Sequence, residues 1–197
     1  MHELAIVPER VDPGHAVTLL VSGVSALRAV RRLGALTGRR LLITGATGAV
    51  GHFAIQLGRL AGAQVIAAVR DHGTRDRLLA SGADEVVIGL GEVSAPVHGV
   101  IDSVGGPLPA QAFDLLAEDG LIQQVGARSG QPTTFAPYQM VGRRRAIEGF
   151  WAGDRFEPDL AYLLDLMAAG RITHPCSTSR TTRKYAAGRD RRDGRRS

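Results

Sequence analysis

Leu41-Leu42-Ile43-Thr44-Gly45-Ala46-Thr47-Gly48-Ala49-Val50-Gly51 sets the architecture expected of this chain. Leu41 to Thr44 form a short, mainly apolar run, the pattern of a strand buried on both faces of a parallel sheet. Val50, Phe53, Ala54, Leu57, Leu60 and Ala61 then recur at helical spacing, and Gly62 ends the helix. Between strand and helix lies a turn with glycine at 45, 48 and 51. In such a setting the first glycine permits a tight turn and the second lets backbone approach a pyrophosphate. The third lets the helix pack closely on the sheet. The helix start offers unpaired N–H groups and a positive dipole end to phosphates. A glycine-rich turn with no ligand is the competing reading. The position of the motif, after a strand and opening a helix, favours the phosphate cradle.

The same rhythm continues outward. Gln64 to Val69 reads as the second strand, and Thr74 to Ala80 as a short helix with Thr74 as its cap. Val86 to Ile88 and Val97 to Ile101 read as strands, the latter stopping at Asp102-Ser103-Val104-Gly105-Gly106. Leu108 to Leu116 is a helix, Leu121 to Val125 a strand, and Gly126-Ala127-Arg128-Ser129-Gly130 a loop. Ala146 to Phe150 reads as a sixth strand and Pro158 to Ala169 as an amphipathic helix. Upstream, Pro8 and Pro13 mark an irregular lead-in. Val24, Leu27, Val30 and Arg31 then follow helical spacing, closed by Gly34 and Gly38. Strands alternating with helices imply a doubly wound α/β domain whose parallel, Rossmann-like sheet has about six strands.

The end of the second strand should select the cofactor. An acidic side chain there accepts hydrogen bonds from the adenosine ribose of NAD, whereas an arginine pairs with the 2′-phosphate of NADP. Arg70 occupies that place and Asp71 follows it. NADP(H) is therefore favoured over NAD(H), with Arg75 or Arg77 as helpers. The opposing reading makes Arg70 a solvated strand end and gives Asp71 the ribose.

Charge is unevenly spread. The net charge of +5 conceals a tail, 177–197, with eight basic groups and two acids, so residues 1–176 carry a net charge of −1. The tail reads as solvated and disordered rather than as a nucleic-acid module, since Tyr185 is its one aromatic. No apolar run approaches the roughly 20 residues that span a bilayer. Met1-His2-Glu3 does not open like a signal peptide, and a single cysteine, Cys176, excludes an internal disulfide. A cytoplasmic protein is the resulting expectation. Its six histidines are scattered, and His174 with Cys176 lacks a nearby third ligand, so no metal is expected. His52 reads as a surface or supporting group.

Several segments together resemble the medium-chain dehydrogenase/reductase family, near its quinone-oxidoreductase and zinc-binding-dehydrogenase-like branches. They are Val21-Ser22-Gly23-Val24-Ser25-Ala26-Leu27-Arg28-Ala29, Ile43 to Gly51 with Phe53-Ala54-Ile55-Gln56-Leu57, Gly82-Ala83-Asp84-Glu85-Val86, Ile101 to Gly106, and Gly120 to Gly130. The resemblance implies a bilobal enzyme with its cofactor between a catalytic lobe and a nucleotide-binding lobe. It places Gly45, Ala46, Thr47, Gly48, Ala49, Val50 and Gly51 at the pyrophosphate. Val104, Gly105, Gly126, Ala127, Arg128 and Ser129 go to the ribose and nicotinamide end, with Ser22 and Ser25 facing it. Phe150 and Trp151 either border the substrate or pack at a strand end. The expected division is a lead-in and linking helix over 1–36, a dinucleotide-binding domain over 37–176 and the basic tail. The family's N-terminal catalytic lobe has no counterpart here. The arginine-rich stretch from Pro175, where the family returns to that lobe, suggests a shifted reading frame or a truncated gene.

The function implied is hydride transfer to a quinone, enone, aldehyde or ketone, with no protein acid named. The alternative is a non-catalytic cofactor-binding module or a fragment of a split or truncated dehydrogenase. Expected partners are the dinucleotide, the small carbonyl or quinone substrate, and either a second copy or a missing catalytic lobe; membrane and nucleic acid are not expected. A short-chain reductase would need a tyrosine followed by lysine four residues later. Lys184 is the one lysine and no such pair exists.

Overall fold

The computed structural model describes residues 5–94 and 96–175. Cys176 and the basic tail lie outside the described residues. Strands β1 (Arg40–Ile43), β2 (Gln64–Val69), β3 (Glu85–Ile88), β4 (Val97–Asp102), β5 (Leu116–Gln124) and β6 (Ala146–Gly149) form one sheet of order β3-β2-β1-β4-β5-β6. All five pairings are parallel. The chain is thus an α/β domain of the Rossmann type, with order reversing between β1 and β4.

Helices cover both faces because successive residues of each central strand point to opposite sides. Leu41 and Ile43 of β1 join one core with Val65, Ala67, Val86 and Ile101. That core is roofed by α2 (Val24–Arg32), α3 (Ala49–Leu60) and α6 (Glu157–Ala168), and Leu78 of α4 (Arg75–Ala80) also enters it. Leu42, Ile66 and Val100 join the opposite core beneath α5 (Leu108–Leu115). Phe53 and Phe113, both fully buried, anchor one face each. Such a side chain contributes about 1.5–3 kcal/mol by leaving water.

Three local expectations are corrected. The lead-in is not irregular from Pro13 onward: Asp12 caps a first helix, α1 (Pro13–Thr18), through Gly14 N–H at 2.8 Å. Pro13 sits at its first turn, where a missing N–H costs nothing. A π-helical segment, Leu19–Gly23, joins α1 to α2. Second, Thr74 makes no capping bond to α4; Asp71 instead caps a short 3₁₀ turn by accepting from Gly73 N–H at 2.9 Å. Third, β5 begins at Leu116 and not Leu121, directly where α5 ends. The apolar pair Leu115-Leu116 hides that change of direction from any periodicity.

Candidate functional site: the crevice between β1 and β4

In an open parallel sheet, the loops leaving β1 and β4 diverge to opposite faces and leave a crevice at their carboxyl ends. Ile43 pairs in register with Ile101, so the turn after β1 and the loop after β4 start at the same level. Gly45 adopts φ +62°, a backbone that favours glycine, and a Cβ there would lie 3.2 Å from Val104. Gly48 precedes α3 with no side-chain cap, so the first N–H groups of the helix stay open toward the crevice mouth. Gly51 shows the closest approach: an added Cβ would sit 2.5 Å from the Gly45 carbonyl oxygen.

A second rim runs from Ser103 to Gly106 and a third from Gly126 to Ser129. They are stitched together by Ser129 N–H donating to the Val104 carbonyl at 2.8 Å, and Arg128 N–H to that of Ser103 at 3.4 Å. Side chains would separate them: a Cβ on Gly126 would lie 2.9 Å from the Ser103 oxygen, and one on Gly105 3.2 Å from the Ala127 Cα. The residues expected from sequence, Gly45 to Gly51, Val104, Gly105 and Gly126 to Ser129, thus lie on three adjacent loops at the carboxyl ends of β1, β4 and β5.

Arg70 lies exposed just beyond β2, with no hydrogen bond or ion pair among the described residues. Its proposed helpers differ. Arg75 donates to the Val86 carbonyl at 2.8 Å and is held against β3, while the Arg77 side chain stays exposed. Of the linking-helix serines, Ser22 is half-buried in the π-helical segment and Ser25 is buried. Phe150 carries the Arg32 guanidinium 5.1 Å from its ring centre, and Trp151 is 71% exposed. A hollow of about 340 Å³ opens beside α2, lined by Arg28, Arg31, Arg32 and Trp151. None of its lining residues belongs to the three rims.

Sequence reasoning missed two features here. One is Asp102, which is fully buried. It accepts the Thr44 hydroxyl, Gly105 N–H at 2.8 Å and Val104 N–H at 3.3 Å. The other is the environment of His52, which of the two readings, surface or supporting group, takes the buried, supporting one. Its Nε2 lies 2.8 Å from the Thr173 carbonyl, and Gln56 holds the same residue through Thr173 N–H at 2.7 Å. His174, the next residue, stacks on His15 with ring centroids 4.1 Å apart. Polar residues inside apolar strands or helices signal such roles, but their partners lie far away in sequence.

Burial lowers the pKa of both His52 and His174 from the ordinary 6.5; Arg77 adds to this at His52, and His15 and His52 at His174. The Thr173 hydrogen bond opposes the shift at His52 and Asp12 opposes it at His174. The folded state therefore prefers neutral rings, and the unfolded chain takes up protons first on acidification. Their contribution to stability is full above about pH 6.5 and is lost as pH falls through the lowered values. The urea midpoint should drop between pH 7.5 and 5.5, and His52→Gln with His174→Gln should flatten that slope. An unchanged slope in the double variant would refute the assignment.

Comparison with known proteins places the chain. Residues 49–169 match the zinc-binding dehydrogenase family, and the chain belongs to it, as a nucleotide-binding domain of the medium-chain dehydrogenase/reductases. It is 30% identical over 198 residues to prostaglandin reductase-3 of Bos taurus, covering 86% of this chain and 52% of that protein. It is 31% identical over 153 residues to the mitochondrial enoyl-[acyl-carrier-protein] reductase of Arabidopsis thaliana, covering 70% of this chain and 40% of that one. A thermostable alcohol dehydrogenase from Pyrobaculum aerophilum superposes with a TM-score of 0.74 at 28% identity, over 86% of this chain and 53% of that one. The chain spans about half the length of the curated relatives it matches. Those relatives are oxidoreductases.

Among the described residues, no group of three His, Cys, Asp or Glu side chains is placed to hold a metal. The family's zinc therefore has no set of ligands there that fits it. A dinucleotide does fit: the uncapped start of α3 and the exposed, side-chain-free backbone at Gly48 suit a pyrophosphate in charge and shape, while Gly51 lets α3 seat against the turn behind it. Among the described residues, no helix is long and apolar enough to cross a membrane.

Proposed function

We propose that this chain is the cofactor-holding domain of an NADP(H)-dependent oxidoreductase that moves hydride to or from a quinone, enone, aldehyde or ketone. The observation that carries the proposal is the open α3 N-terminus behind a glycine turn at the β1/β4 crevice. When bound, the nicotinamide supplies the hydride chemistry. The protein's part is placement. Thr47 and the first residues of α3 present N–H groups to the pyrophosphate. Gly48, whose own N–H is held by the Gly45 carbonyl, presents bare backbone, and the rims at Val104-Gly105 and Gly126–Ser129 border the nicotinamide half. No residue is assigned as a general acid. In the cytoplasm, where we place the protein, the reduced cofactor is at hand. Two chains joining across the sheet edge at β6 is our proposal for its assembly.

NADPH is preferred over NADH for a physical reason. Asp71, the acid that would take a ribose hydroxyl, turns one oxygen back to Gly73 N–H as a turn cap, while Arg70 beside it is exposed and has no acidic partner among the described residues. A charge-assisted contact to a 2′-phosphate contributes about 1.5–3 kcal/mol. Arg70→Glu is thus expected to weaken NADPH binding about ten- to a hundredfold and to leave NADH within about twofold. Fluorescence titration of both cofactors checks this. Equal weakening of NADPH and NADH would contradict the 2′-phosphate role.

The half-length match supports a second possibility, a cofactor-binding module that acts with a separate catalytic half. Mixing purified chain with NADPH and a quinone separates the two. Oxidation of NADPH supports a complete enzyme, and tight binding without turnover supports the module.

A further inference from the structure

We infer that Asp102 and Thr44 form a clasp that positions all three rims of the crevice. Both side chains are fully buried, and both lie where their strands end. The Thr44 hydroxyl donates to an Asp102 carboxylate oxygen and accepts Ser103 N–H at 3.3 Å. The same carboxylate gathers Val104 and Gly105 N–H, folding the β4 loop back on itself. The main-chain carbonyl of Asp102 accepts from Val125 N–H at 2.7 Å and Gly126 N–H at 3.1 Å, which fixes the third rim. One residue therefore touches the glycine turn, its own loop and the loop after β5.

The chemistry favours a positioning role over simple packing. A buried carboxylate is costly unless its oxygens are satisfied, and a threonine at 44 costs more than an apolar residue unless its hydroxyl is used. The β1 residues just before Thr44, Leu41 to Ile43, are all aliphatic and fully buried. Asp102 and Thr44 compensate each other only when β1 and β4 end at the same level, so the pair reports and enforces that register. The clasp also determines which donors face a ligand. Ser103, Val104 and Gly105 N–H are consumed internally and are not offered to an anionic group in the crevice, whereas the start of α3 is uncapped. That favours the helix dipole as the place for a pyrophosphate.

The inference rests on the cofactor reading for its consequence, but its geometry can be tested without cofactor. In full-length protein, Thr44→Val keeps shape and removes the hydroxyl, while Thr44→Ser keeps the hydroxyl. Loss of a buried, charge-assisted hydrogen bond should accelerate amide exchange at Ser103–Gly105 about tenfold or more and weaken NADPH about tenfold. Exchange at Val86–Ile88, on the far edge of the sheet, should stay as in the parent. Thr44→Ser should restore both values to within about twofold. Asp102→Asn, which keeps shape but turns one acceptor into a donor, should reproduce the Thr44→Val exchange pattern and stands in for it if that variant fails to fold. Parent-like exchange and affinity in Thr44→Val, or acceleration spread equally to Val86–Ile88, would overturn the clasp. Parent protein binding neither NADPH nor NADH would refute the cofactor reading alone, and the exchange contrast would still decide the clasp.

Discussion

Gly51→Ala is expected to lower folding stability by about 1–3 kcal/mol, the range of an overpacked core, and to remove measurable dinucleotide binding. The added Cβ would lie 2.5 Å from the Gly45 oxygen, 2.7 Å from the Ala46 Cα and 2.9 Å from the Ala46 carbonyl carbon. All three are backbone atoms of the turn that opens the crevice, so no side chain can swing aside. Either α3 lifts off β1 or the turn opens, and both move the N–H groups that face the ligand. Losing two charge-assisted contacts of about 1.5–3 kcal/mol each weakens affinity more than about a hundredfold. Gly48→Ala is the informative control. Its Cβ would meet the Gly45 oxygen at 3.3 Å, and its backbone is one that alanine accepts. That variant should keep most of its stability and lose affinity by crowding the ligand. Thermal unfolding with and without NADPH reads both quantities, and parent-like affinity in Gly51→Ala would contradict the packing argument.

Asp159→Ala should cost about 2–3 kcal/mol, somewhat below the ~3–5 kcal/mol of a fully buried pair because Arg31 is half exposed. Asp159, whose side chain is 12% exposed, binds Arg28 Nε at 2.6 Å and also pairs with Arg31. Arg28 is the hub of the segment after β6: it donates to the carbonyls of Ala152 and Arg155, and its guanidinium lies 4.9 Å from the Phe156 ring centre. Removing the carboxylate strands a largely buried guanidinium and frees the segment that carries Trp151. Urea unfolding of the single variants and of the Arg28→Ala/Asp159→Ala pair measures the coupling. A double variant whose loss equals the sum of the two singles would show that the pair does not act as a unit.

Much of the fold is legible in the sequence because its determinants are local. β2 is bounded by the residues that the apolar run Gln64–Val69 marks, and the glycine turn is recognisable from the strand and helix on either side. The misread places are those where local signals compete or are weak. Asp12-Pro13 is a helix start, but two nearby prolines read as irregular chain. Leu115-Leu116 is apolar on both sides of a helix-to-strand change. The polar framework was invisible for a different reason. Thr44 and Asp102 lie 58 positions apart, and Arg28 and Asp159 lie 131 apart. Periodicity carries information over a few residues only, so a buried acid announces that it has partners without naming them. The rims at Val104-Gly105 and Gly126–Ser129 came from family resemblance, since three glycine-containing loops have no individual signature of a shared crevice.

The most direct measurement is an amide chemical-shift titration of the isotopically labelled chain with NADPH. Binding in the crevice should shift Gly45–Gly51, Val104-Gly105 and Gly126–Ser129, together with Arg70, and leave the amides of α5 on the opposite face unmoved. Shifts absent from the glycine turn in folded protein, or confined to the arginine-lined hollow beside α2, would contradict a dinucleotide site between β1 and β4.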